Sequence, residues 1–189
     1  EFIYVPGNHQ GWAPDKAPAL QSPAFDGVYV GYTYLNGNFK FTKERNWNAE
    51  YNFNDFATKD DIFFNNDGSN INISEEGFYQ IKADVASSNL SAVKTTWGII
   101  GPAQAGGWDT DTDMTWNAAD ESWTATVELA ADEFKFRAND AWAINVGGSP
   151  DNLTQDGGNI KVAEAGTYEV KLFLTRSASD KMYCTLTKK

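Results

Sequence analysis

The chain repeats itself, and the repeat limits what it can fold into. A Gly-Trp pair, an aromatic-Lys-aromatic triplet and a further Trp occur in that order twice, about 95 residues apart. They are Gly11-Trp12, Phe39-Lys40-Phe41 and Trp47, then Gly107-Trp108, Phe134-Lys135-Phe136 and Trp142. Residues 67–85 match residues 156–174 without a gap: eight of nineteen positions are identical, among them Asp67-Gly68 with Asp156-Gly157, Tyr79 with Tyr168 and Lys82 with Lys171. A plan that recurs once, at an offset of about 90 to 95 residues, favours two domains over one. Two domains are therefore expected, 1–95 and 96–189, each above the size at which disulfides or metals are needed to support a core. The single cysteine, Cys184, fits that expectation and is read as a small apolar core residue.

Within each half the apolar residues alternate. Val28, Val30, Tyr32 and Tyr34 do so, as do Trp123, Ala125, Val127 and Leu129, and Tyr79, Ile81 and Ala83 answer to Tyr168, Val170 and Leu172. A period of two is the mark of half-buried strands, and clusters such as Asn36-Gly37-Asn38 and Gly147-Gly148-Ser149-Pro150 supply the turns between them. No stretch carries a capped helical period. The expected fold is all-β, two tandem antiparallel β-sandwiches of the immunoglobulin-like kind.

Charge narrows the partners. The net charge of −11 is spread over both halves and repels phosphate backbones, so nucleic acid is excluded as a partner while neutral ligands are not penalised. Asp109, Asp111 and Asp113, with Asp120 further on, have the spacing of a calcium loop, but Met114 stands where that loop needs glycine for its sharp turn. The run is read as a solvated acidic loop, with no metal and no cofactor. His9 is read as a solvated loop residue, because no nucleophile accompanies it.

The repeated polar and aromatic residues point to a ligand. In a strand, Phe134 and Phe136 face one way while Lys135 and Arg137 face the other, and Phe39 and Phe41 oppose Lys40 in the same manner. Trp12, Trp47, Trp108 and Trp142 lie in Gly- and Asn-rich surroundings. A lysine flanked by two loop tryptophans suits a sugar, since an indole covers the C–H face of a pyranose and cationic or amide groups bond its hydroxyl rim. Each indole that removes on the order of 100 Å² from water contributes about 2.5 kcal/mol, much of it offset by association costs, so one site is expected to be weak. Two weak sites on one chain favour a polymeric ligand.

From Trp97-Gly-Ile-Ile-Gly-Pro through Gly107-Trp108-Asp109 to Phe134-Lys-Phe-Arg137 and Trp142, the chain resembles the outer-membrane starch-binding lipoproteins of the SusE/SusF type of Bacteroidetes. The resemblance spans essentially all 189 residues. It implies a non-catalytic, cell-surface protein that holds starch and maltooligosaccharide chains for capture and uptake, in company with outer-membrane glycan-uptake proteins. It also implies a lipid anchor and a further domain ahead of these modules. By the same resemblance two aromatics form a curved platform and a Lys or Arg bonds the glucose hydroxyls. Those roles fall on Trp108, Trp142, Lys135 and Arg137 in the second unit, with Asn145 as a further polar contact, and on Trp12, Lys40 and Trp47 in the first. Thr42 stands where the second unit has Arg137, so the first site is expected to be the weaker or to use Tyr51 or Asn52. The competing classes are an adhesion or structural module, a binder of another glycan, and a glycoside hydrolase. Against the last, Glu133 beside the second lysine aligns with Asn38 in the first copy.

Overall fold

The computed structural model describes residues 1–47, 70–87, 89–177 and 179–189, and in addition the backbone of 50–51, 57–58 and 64–66. The chain forms two compact units. One comprises Glu1–Thr95 with Thr175–Asp180, the other Thr96–Leu174 with Lys181–Lys189. Six residues from the second half of the sequence thus belong to the first unit. Among the described residues there is no α-helix. Strands and two short 3-10 turns, Asn8–Gln10 and Pro14–Lys16, make up the regular structure.

The first unit contains β1 (Phe2–Tyr4), β2 (Ala19–Gln21), β3 (Val28–Leu35), β4 (Asn38–Phe39), β5 (Phe41–Thr42), β6 (Glu50–Tyr51), β7 (Ala57–Thr58), β8 (Phe64–Asn66), β9 (Ile71–Ile73), β10 (Gly77–Asp84) and β11 (Asn89–Lys94). They form an eight-stranded sheet in the order β6-β5-β1-β2-β3-β10-β11-β7 and a three-stranded sheet in the order β4-β9-β8. All pairs are antiparallel except β11 with β7.

The second unit contains β12 (Trp97–Gly101), β13 (Gly107–Asp113), β14 (Thr115–Asn117), β15 (Ser122–Leu129), β16 (Glu133–Ala138), β17 (Asn145–Ser149), β18 (Asn152–Gln155), β19 (Ile160–Lys161), β20 (Gly166–Phe173) and β21 (Tyr183–Lys188). One sheet runs β13-β12-β16-β17-β18 with β19 added to β16, and the other runs β14-β15-β20-β21. The two layers are separate sheets here. In the first unit β2 pairs with both β1 and β3, which makes the layers continuous.

The repeat is visible strand by strand: β1 with β12, β3 with β15, β4 and β5 together with β16, β9 with β19, β10 with β20, and β11 with β21. Phe39 and Phe41 meet edge to face at 5.8 Å in one core, and Phe134 and Phe136 at 5.3 Å in the other. All four are fully buried, each stabilising its unit by about 1.5–3 kcal/mol. Tyr79 donates its hydroxyl to the Glu75 carbonyl and Tyr168 to the Glu164 carbonyl, both at 2.7 Å. A tyrosine bonded back to the backbone four residues upstream is the corner device of immunoglobulin-like sandwiches. The fold is all-β and sandwich-like, as the alternation predicts.

One strand is turned over relative to its pattern. The alternation Val28, Val30, Tyr32, Tyr34 predicts that set in the core, yet Tyr29, Thr33 and Leu35 are buried and Val28, Val30 and Tyr34 only half-buried. The reason is register. Tyr79, Ile81 and Ala83 of β10 lie opposite Thr33, Gly31 and Tyr29, and cross-strand partners share a face. Tyr32 is buried on the other face, where its hydroxyl accepts from Gln80 Nε2 at 2.9 Å. Cys184 lies in the buried row Trp123–Leu172–Cys184, and burial pushes its thiol up to about 12, which leaves it an inert core residue.

Candidate functional site

In the second unit, β16 carries both halves of the pattern. Phe134 and Phe136 enter the core, and Lys135 and Arg137 leave on the opposite face, next to β12 and β17. Trp108 stands near the start of the edge strand β13. Trp142 sits in the β16–β17 connection, where Asn139 and Asp140 adopt left-handed backbone (φ 55° and 53°) and the Ala138 amide donates to the Ile144 carbonyl at 2.8 Å. The two indoles come together at 5.9 Å between ring centres with 45° between their planes, 42 % and 46 % exposed. They make an open, tilted aromatic surface.

Beneath that surface the polar groups are committed to one another. Arg137 is only 7 % exposed; its guanidinium carbon lies 4.9 Å from the centre of the Trp142 ring, and its Nε and Nη2 donate to the Asp111 carboxylate at 2.9 and 2.5 Å. The Asp111 hydrogen bonds hold the guanidinium charged, raising its pKa further. Asn145, opposite Arg137 on β17, is also buried. Its Nδ2 donates to the Trp142 carbonyl at 3.0 Å and to Asp156 Oδ1 at 2.7 Å. Both residues reach Trp142 from within the protein. The acidic run is likewise different from the solvated loop expected: it is strand β13, and Asp111 is inside the Arg137 pair.

Lys135 is half-buried and donates to no described residue. Its neighbour is a close approach of backbone to backbone. Gly147 of β17 lies so near the 156–159 loop that a Cβ would come within 2.2 Å of the Gly158 carbonyl and 3.1 Å of Lys135 Cε. The same loop presents Asn159, whose Nδ2 donates to Glu133 Oε1 at 2.6 Å.

The first unit repeats the surface with other supports. Trp12 and Trp47 lie 6.2 Å apart with 35° between their planes. Trp12 has left-handed backbone (φ 59°), a conformation that bulky residues adopt only when the surroundings enforce it. Its amide donates to the Gly7 carbonyl at 2.9 Å and its Nε1 to Asn8 Oδ1 at 2.8 Å, while Gln10 and Ala13 exchange two hydrogen bonds that fix the loop. Trp12, Trp47, Lys40 and Asn70 line one open groove of about 350 Å³. Thr42, in the place of Arg137, is fully buried, and Tyr4 stands opposite it. Arg45 lies over the Tyr4 ring at 4.9 Å and donates to the Ala17 and Arg176 carbonyls at 3.3 and 3.2 Å, anchoring the segment that leads to Trp47. The Tyr51 side chain and Asn52 lie outside the described residues.

The structure therefore brings together Trp12, Lys40 and Trp47 in one unit and Trp108 with Trp142 in the other, on the same strand framework. Asn70 is the residue that sequence reasoning missed. Its signal was present, since Asn70-Ile71 and Asn159-Ile160 are among the identical positions, but an asparagine beside Asp-Gly is read as turn chemistry. His9 is half-buried where a solvated residue was expected. Chemically, each unit offers two tilted apolar plates, and in the first unit a primary ammonium and an amide line the same groove. That set suits a neutral ligand with one apolar face and hydroxyl edges.

No protein-family model and no curated protein matches the sequence. The fold is similar to that of the crystal structure of SusF from Bacteroides thetaiotaomicron, with a TM-score of 0.60 and 16 % identity, over 97 % of this chain and 47 % of SusF. At the level of fold, this agrees with the resemblance drawn from the Trp97 to Trp142 string. The chain spans about half the length of SusF.

Proposed function

We propose that the chain is a non-catalytic carbohydrate-binding protein with two starch-binding units, each holding α-glucan or maltooligosaccharide through its pair of tryptophans and its lysine. The reading is supported by the resemblance to the SusE/SusF type and by the fold shared with SusF, and one observation carries it. Two indoles at 5.9 and 6.2 Å, with 45° and 35° between their planes, recur in both units, and in the first unit Lys40 lines the same groove. Coplanar rings would suit a flat glycan chain. Rings tilted toward each other suit a chain that curves, as an α-linked glucan does. Asn70 joins Lys40 as the polar group that bonds sugar hydroxyls, and Asn159 is its counterpart beside Lys135. The second unit is the tighter of the two because Trp142 is fixed from below before the ligand arrives, which lowers the ordering cost. On the same resemblance, the protein acts at the bacterial cell surface, at the outer membrane, and passes glycan to uptake proteins there.

Tryptophan fluorescence during titration tests the binding class. Maltoheptaose and cyclodextrin should give a saturable change with a dissociation constant on the order of micromolar to millimolar, and cellohexaose none. Absence of a response to every α-glucan, or release of reducing sugar from starch, would rule the proposal out in favour of an adhesion module or an enzyme.

A further inference from the structure

Arg137 is a conspicuous group to find beneath a ligand platform, since it is charged, nearly buried and bonded to a carboxylate whose own side chain is 2 % exposed. Three strands contribute to the arrangement. Arg137 comes from β16 and Asp111 from β13, and between them on β12 lies Gly98, paired with Arg137. A Cβ at Gly98 would come within 2.9 Å of both Asp111 Cβ and Asp111 Oδ2, so the carboxylate occupies the space that a side chain there would fill. In the first unit Tyr4 and Thr42 stand in the places of Gly98 and Arg137, and no ion pair can form between them. The cation thus has no counterpart in the repeat, and it touches the one platform residue that lies on a turn.

We infer that the Asp111–Gly98–Arg137 cluster is a built-in brace for Trp142, and that Arg137 is a positioning residue that sets the angle of that indole without touching the sugar. The inference rests on the carbohydrate reading of the tryptophan pair. Its physical basis is that the planar guanidinium is fixed by its fork on Asp111 and presents its face to the ring. With the ring held from below, its other face is offered to the ligand at a set tilt to Trp108. Asn145 completes the support through the Trp142 carbonyl.

The test uses the full chain carrying Trp47→Ala, which silences the first unit's platform. Removing one charge would strand the other in a buried place, whereas replacing both by apolar residues of similar size is generally tolerated. The informative variant is therefore Asp111→Leu with Arg137→Met, and Arg137→Lys is the conservative partner, keeping the charge but losing the fork. Two quantities are read: affinity for maltoheptaose, and the near-ultraviolet circular dichroism couplet of the Trp108–Trp142 pair, taken as the difference from Trp142→Ala. The double variant should bind at least tenfold more weakly and lose the couplet, while Arg137→Lys recovers part of both. The inference is overturned if the double variant keeps affinity and couplet, or if affinity falls while the couplet stays, since Arg137 would then contact the sugar itself. Should the Trp47→Ala parent bind no maltoheptaose, the carbohydrate reading fails. The couplet still decides on the brace, which its loss in the double variant supports and its persistence overturns.

Discussion

Trp12 and His9 share one short loop in the first unit, and the cost of holding it is set by both. A left-handed tryptophan costs on the order of 1–3 kcal/mol and persists only because Gly7, Asn8 and the Gln10–Ala13 exchange define the turn around it. His9 lies in the same 3-10 turn, where burial, only partly offset by the Val5 backbone, lowers its pKa from 6.5 to about 4. The neutral ring is the form that the fold accepts. Above pH 6.5 neither folded nor unfolded chain protonates it, and its environment has no linkage effect. Between pH 6.5 and about 4 only the unfolded chain takes the proton, so stability falls with pH by up to about 1.4 kcal/mol per unit. The carboxylates add their own acid dependence to any such curve. Urea midpoints at pH 7.5, 5.5 and 4.5 for the wild type and His9→Leu separate the two, and the variant should show the shallower decline. Equal slopes would mean that the ring is already solvated.

Strands were legible because their signal is local, and side-chain roles were not where they depend on a third strand. The alternation in β15, β10 and β20 and the turn clusters were enough to place those strands and the antiparallel class. The face of β3 differs from its pattern because Val28, Val30, Tyr32 and Tyr34 alternate with the smaller Gly31 and Thr33, yet pairing with β10 decides which row is inside. The Arg137–Asp111 pair was not legible for the same kind of reason: alternation puts Arg137 on the face of Lys135, but Asp111 reaches it from two strands away, and no spacing rule links residue 111 to residue 137. The approach of β17 to the 156–159 loop is another such contact, and it makes a prediction at this scale. Gly147→Ala has to push the loop bearing Asn159 away, because its Cβ would meet the Gly158 carbonyl at 2.2 Å. The variant should lose roughly 1–3 kcal/mol of stability and bind maltoheptaose more weakly in the second unit alone. Unchanged binding in a Trp47→Ala background would show that the loop has no part in the site.

At the scale of the whole chain, duplication was the most legible feature and the departures from it were the least. The β20–β21 connection holds nine residues where β10–β11 holds four, and the added stretch supplies Thr175–Asp180 to the first unit. There the Arg176 carbonyl accepts from Ala19 and Arg45, and Arg176 Nη2 donates to Gln21 at 3.2 Å. Residues without a mate in the repeat carry no pattern to read. The uniform acidity of the chain disfavours anionic partners, and if both proposed sites bind one neutral polymer they gain from effective concentration. The most direct measurement is calorimetric titration of maltoheptaose into four proteins: the wild type, Trp12→Ala with Trp47→Ala, Trp108→Ala with Trp142→Ala, and all four substitutions together. Two sites per chain should become one, one and none, the site left in the first double variant being the tighter. Binding that survives all four substitutions, or that vanishes entirely when either pair alone is removed, would contradict two independent tryptophan-built sites.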